Sequence, residues 1–163
     1  MEKLMIKVKI SDLAILKGEG VLVTVGLGSC VGIALYDPES KIGGLAHILL
    51  PDSTQFKSSL NSFNPAKFAD TAIPLLMEKM GKAGANRFSL KAKIAGGGQL
   101  FAFQKLGSSI GMKNVQAVKY YLNKYKIPIR GEDVGGFQGR TMRLYVNSGR
   151  VVINTVGGTE KIL

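Results

Sequence analysis

Apolar and polar positions alternate at the start of the chain, where Lys3, Lys7 and Lys9 interleave with Leu4, Met5, Ile6, Val8 and Ile10; this predicts a strand over 3–10. Further strands are predicted at 21–26, 30–36 and 43–49, the last two joined by Asp37-Pro38-Glu39-Ser40, whose proline and short polar side chains suit a turn. The Ser-, Asn- and Gln-rich stretch from Asp52 to Asn64 reads as a loop long enough to act as a lid. Asn64-Pro65 then supplies a capping residue and a proline suited to the first helical position. Ala69, Ala72, Ile73, Leu76 and Met80 recur at helical spacing until Gly81 and Gly84, and Pro74 inside that run predicts a kink or break near Thr71. A strand at 90–95 leads into Gly96-Gly97-Gly98, and a second helix at 112–125 carries Val115, Val118, Leu122 and Tyr125 on one face. Pro128 ends it. Strands near 127–134, 140–147 and 150–156 follow, the last pair joined by Asn147-Ser148-Gly149, a hairpin signal.

The 17 residues from Gly20 to Tyr36 carry no charge, which is the lower edge of membrane-spanning length. Four glycines, Thr24 and Ser29 interrupt them and β-branched residues dominate, so two buried strands joined at a Gly-Leu-Gly-Ser turn describe them better than a helix in lipid. No repeat or linker divides the 163 residues, a length that suits one domain over 1–163 with a core that stands without disulfides. A composition of 45% hydrophobic and 20% charged residues argues against disorder.

Charge changes the picture through its location. Twenty-two Lys and Arg against 11 Asp and Glu leave a net charge of +11, and the stretch between Glu78 and Glu132 holds 11 cations and no acid. Elsewhere the charges cancel. A one-signed stretch of this kind predicts a basic surface for an acidic partner, whether nucleic acid, anionic lipid or acidic protein. The single Cys and single His exclude a disulfide scaffold and a zinc finger. The start lacks the continuous apolar run of a signal peptide, which makes the cytoplasm the expected location.

Cys30 and His47 fall on the two strands flanking the 37–40 turn. If those strands form a hairpin around that turn, residues whose numbers sum to about 77 pair across it, which sets Cys30 opposite His47. A thiol attacks a carbonyl well only as thiolate, and an adjacent imidazole produces it by taking the proton. The amides of Gly28 and Ser29, with that of Cys30, are placed to stabilise an oxyanion, and Thr24 on the preceding strand can accept a hydrogen bond from the imidazole. The bland alternative stands beside this: a lone Cys in an apolar strand is commonly a small core residue, and a lone His near a strand end a satisfied polar group. Other signals are weaker. Gly26-Leu27-Gly28 has Val31 where a dinucleotide fingerprint needs its third glycine, and Gly96-Gly97-Gly98 lacks the ending of a P-loop, so the latter reads as a close-packing or substrate-adjacent turn. Tyr120-Tyr121 reads as half core and half surface.

The run from Thr24 through Gly28-Ser29-Cys30, with Tyr36-Asp37-Pro38, Gly43-Gly44-Leu45-Ala46-His47 and Leu50-Pro51, resembles the CheD family of chemoreceptor glutamine deamidases. The match continues through Ala92-Lys93-Ile94-Ala95-Gly96-Gly97, Ile110-Gly111, Asn114, Ala117-Val118, Ile127-Pro128, Asp133 and Gly135-Gly136. The resemblance implies an α+β fold, a layered α/β/β sandwich with mixed sheets similar to the cysteine hydrolase domain of cytotoxic necrotizing factors. It implies Cys30 as nucleophile, His47 as base, Thr24 as the residue orienting it, and no metal or organic cofactor. The implied activity is hydrolysis of glutamine side-chain amides of methyl-accepting chemotaxis receptors to glutamate through a thioester, with the 52–64 loop as one wall of a receptor groove. Implied partners are these receptors and a CheC-like phosphatase, with no nucleic acid and no membrane insertion; the basic stretch then becomes a docking surface for acidic protein. The alternatives are a mainly non-catalytic regulator binding such a phosphatase, a nucleic-acid binder, and a methylesterase or transglutaminase sharing the same acyl-enzyme.

Overall fold

A computed structural model of the chain describes residues 4–54, 63–99 and 109–163. The elements are β1 (Met5–Lys7), β2 (Asp12–Lys17), β3 (Val21–Leu27), β4 (Val31–Asp37), β5 (Ile42–Ile48), α1 (Ala69–Lys82), β6 (Lys91–Gly96), α2 (Ile110–Lys124), β7 (Ile129–Val134), β8 (Arg140–Tyr145), β9 (Arg150–Thr155) and β10 (Glu160–Ile162). They build two five-stranded sheets, ordered β1-β3-β8-β9-β10 and β2-β5-β4-β6-β7. Both are mixed, because β1–β3 and β6–β7 pair parallel while their neighbours pair antiparallel. The expected α+β class with mixed sheets is what forms.

Alternation along the central strands sets the layers. Val31, Ile33 and Leu35 of β4, with Ile42, Ala46 and Ile48 of β5, point to one side and meet Ala72, Ile73, Leu76 and Met80 of α1 and Val118 and Leu122 of α2. Cys30, Ala34 and Leu45 point to the other side and meet Leu22, Leu27, Met142 and Leu144 of the opposing sheet. With helices on one face and a sheet on the other, β4 has no polar face, which is why its sequence reads as a continuous apolar run. Gly44 lets α1 rest directly on β5: a Cβ there would lie 2.7 Å from Leu76 Cδ1.

Several elements differ from the sequence expectation. The predicted strand at 3–10 ends early as β1; the chain turns at Ser11, with φ 62°, and Asp12–Lys17 becomes the edge strand β2 against β5. Pro65–Lys67 form a short 3-10 turn, Asn64 accepting from the Ala66 amide, and α1 starts afresh at Ala69. That later start puts Pro74 in the second turn of α1, where only the Asp70 carbonyl loses a partner, and the helix continues without the expected break near Thr71. Helix α2 begins two residues earlier than expected, with Ser109 capping it through the Met112 amide.

Candidate active site

Although β3 and β4 are consecutive, they lie in opposite sheets, so Gly28, Ser29 and Cys30 carry the chain from one sheet to the other. This connector is fixed through its carbonyls. Gly98 N–H donates to Gly28 O (2.8 Å), Asn114 Nδ2 to Ser29 O (2.9 Å) and Gly97 N–H to Cys30 O (2.8 Å). A Cβ on Gly96, whose φ is 109°, would run into the Cys30 carbonyl, so of the two readings of the triple glycine, close-packing or substrate-adjacent turn, the close packing is present. Arg140 supports that turn from behind: it is buried, pairs with Asp133 (Nε to Oδ2, 3.1 Å) and donates to Gly96 O (3.3 Å) and Gly135 O (2.6 Å).

His47 and Thr24 meet across the two sheets. Both are fully buried, and Thr24 Oγ1 lies 2.6 Å from His47 Nδ1 and 2.6 Å from Val8 O. A carbonyl can only accept, so the Thr24 hydroxyl donates its single proton to Val8 and accepts from Nδ1–H. This network assigns the imidazole the Nδ1–H tautomer, with the lone pair on Nε2. Among the described residues Nε2 has no hydrogen-bond partner.

Cys30 is on the same inter-sheet face but not directly opposite. The β4–β5 register pairs Val31 with Ile48 and Gly32 with His47, so the pair sums are 79 rather than the expected 77. The turn occupies Pro38 to Lys41, with Lys41 at φ 54°, one residue later than expected. A shift of two keeps the side-chain parity, and Cys30 and His47 become diagonal neighbours, with backbones roughly 7–8 Å apart. No hydrogen bond joins sulfur and imidazole in this state, as is common before substrate tightens a site.

Electrostatics leaves both groups uncharged at rest. Burial pushes the Cys30 thiol up, eased by its own backbone amide, and burial pulls His47 down to about 4. Neutral imidazole with a bare Nε2 is the form that accepts a proton. Of the amides expected to hold an oxyanion, Gly28 N–H is already committed to Gly26 O (3.0 Å), which leaves Ser29 and Cys30.

Asn114 received no role from sequence reasoning. It is fully buried, and its Nδ2 donates both to Ser29 O, just before Cys30, and to Leu49 O (3.0 Å), just after His47. One amide thus ties the strands that carry Cys30 and His47 to α2. The signal was a lone Asn within the buried stripe Gly111, Asn114, Val118, Leu122.

The basic stretch is spread over the ends of α1 and α2 and over β6 and β7, and Glu78 and Glu132 at its limits pair with Lys82 (3.2 Å) and Lys119 (3.0 Å). Tyr120 is exposed while Tyr121 packs against the helix-side core. Most of the 52–64 loop, together with Lys105, falls outside the described residues.

A family model described as CheD chemotactic sensory transduction matches residues 49–155, beginning just beyond the three site residues. Similar curated proteins span those residues as well. A probable chemoreceptor glutamine deamidase CheD of Clostridium novyi (strain NT) is 54% identical over 159 residues, covering 96% of each chain. Proteins of the same name from Clostridium botulinum are 52% identical, strain Alaska E43 over 96% of both chains and strain Hall over 96% of this chain and 97% of its own.

Proposed function

The chain belongs to the CheD family of chemoreceptor glutamine deamidases, and we propose that Cys30, His47 and Thr24 carry out the deamidation. The observation that supports the assignment is the Thr24 hydroxyl, which donates to Val8 O and so leaves the lone pair of His47 on the bare Nε2, on a strand face shared with Cys30.

The reaction follows from these groups. As the Cys30 sulfur attacks the δ-carbonyl of a receptor glutamine, its proton passes to His47 Nε2. The new oxyanion is held by the amides of Ser29 and Cys30. Collapse breaks the C–N bond, and the imidazolium returns its proton to the departing ammonia, leaving a thioester on Cys30. Water then adds to the thioester, giving up a proton to His47; the proton goes back to the leaving thiolate, and glutamate is released. Because both groups rest uncharged, proton transfer accompanies attack instead of preceding it.

The wider reading is that the two sheets and two helices act as one domain over 1–163, that its layered α/β/β sandwich is similar to that of cytotoxic necrotizing factor-type hydrolases, which use a comparable Cys–His pair, and that a free thiol nucleophile suits the reducing cytoplasm. Among the described residues no helix is long and apolar enough to cross a membrane. A CheC-like phosphatase remains the proposed second partner. The test is mass spectrometry of a cognate receptor fragment incubated with the protein. Amide-to-acid conversion at particular glutamines, absent with Cys30→Ala, supports the assignment; equal conversion by the variant removes Cys30 as nucleophile, and no conversion by wild type removes the activity.

A further inference from the structure

Six residues along the chain from Cys30, at the opposite end of β4, the inter-sheet layer opens into a cavity of about 260 Å³. Its floor is apolar, formed by Tyr36, Leu144 and Val151, and its rim carries Lys91, Lys93 and Arg130. No acidic side chain lines it, and none of these three cations pairs with an Asp or Glu side chain among the described residues. All three come from the acid-free stretch between Glu78 and Glu132, whose charge the deamidation chemistry does not use.

The cations are built in to different degrees. Lys91 and Arg130 are exposed; Lys93 is half-buried and anchored by one hydrogen bond from Nζ to the main-chain oxygen of Leu163 (2.7 Å). Burial pulls its pKa down. A wall of the cavity is the turn between β8 and β9, where Gly149, at φ 79°, lies against the Tyr36 ring. The volume lies at the small end of ligand sites, enough for one ring and a charged group. A single carboxylate would leave most of three cations unanswered, whereas a phosphate ester brings close to two charges and three strong acceptors.

We propose that this cavity binds a small phosphate ester with a ring-sized apolar body, the phosphate among Lys91, Lys93 and Arg130 and the body against Tyr36, Leu144 and Val151. Cys30 is roughly 20 Å away along the strand, so the site stands whether or not the catalytic assignment does.

The test is isothermal titration calorimetry of the whole chain with phenyl phosphate, with inorganic phosphate and phenol as the two halves of the ligand. Phenyl phosphate is expected to bind saturably and at least about tenfold more tightly than either half. Lys93→Met removes the buried charge while keeping the stem, and Ser148→Glu adds an acid on the exposed rim turn where the fold is not at risk. Each is expected to weaken phenyl phosphate at least about tenfold, with Cys30→Ala leaving it unchanged. Absence of saturable binding, inorganic phosphate binding as tightly as the ester, or unchanged affinity in both rim variants would each overturn the site.

Discussion

The two faces of the sheet β2-β5-β4-β6-β7 share the same strands and do different work. On the helix side, Val31, Ile33, Leu35, Ile42, Ala46 and Ile48 pack into one apolar cluster with α1 and α2. On the inter-sheet side, the same two central strands present Cys30, Tyr36 and His47, with Thr24 reaching across from the opposing sheet. Helices seal the first face along its length. The second is closed by another sheet, and the connector Gly28–Cys30 between the two brings backbone amides to the end of β4. Alternation along β4 and β5 thereby separates residues that hold the fold from the residues proposed for the chemistry.

Substitutions on the two faces should therefore fail in opposite ways. Cys30→Ala is expected to lower deamidation by more than about 10³-fold while leaving the melting transition almost unmoved. Ile33→Ala, which neighbours it along β4 but faces α1 and α2, is expected to lose roughly 2–5 kcal/mol of stability in urea titration, with the folded fraction keeping its turnover. A Cys30 variant that unfolds the protein, or an Ile33 variant that abolishes turnover while remaining folded, would break the division.

Acid should act through the inter-sheet face. His47 titrates near 4 in the folded chain against an ordinary value near 6.5, so between those values the unfolded state binds a proton that the folded state does not. Stability then rises with pH through that window and falls as pH drops from 6.5 to 4, by about 3 kcal/mol from this group. Denaturant titrations of wild type and His47→Gln across the window isolate it: the wild type loses that much relative to the variant.

Smaller effects sharpen the contrast. Asn114→Ala leaves two partly buried carbonyls, of Ser29 and Leu49, without this donor and should cost roughly 1–3 kcal/mol while lowering turnover of the protein that remains folded. Thr24→Ala should lower turnover about 10–100-fold by releasing the tautomer, and Thr24→Ser should restore most of it.

Much of this arrangement was legible in the sequence. The 3.6-residue period of Ala69 to Met80 located α1, and turn residues located the β4–β5 hairpin. The exact pairing was not legible, because a turn centred one residue later moves every cross-strand pair by two. Parity survives such a shift, so Cys30 and His47 still share a face. That Thr24 and His47 lie in opposite sheets was hidden because β3 and β4 both read as buried apolar runs around a glycine turn. Strand β2 was missed because Asp12-Leu13-Ala14-Ile15-Leu16-Lys17 lacks alternation, its inner positions being half-buried on both sides at the sheet edge. Asn114 carries its signal only once the buried stripe of α2 is known.

The central claim is that the inter-sheet face holds a neutral imidazole with Nε2 bare and ready to take the Cys30 proton. The chain has one His, so side-chain nitrogen-15 NMR reports on His47 alone. The expected spectrum at neutral pH shows a protonated Nδ1 and an unprotonated Nε2, unchanged on acidification until pH nears 4. An Nε2–H tautomer, or titration near 6.5, would contradict the account.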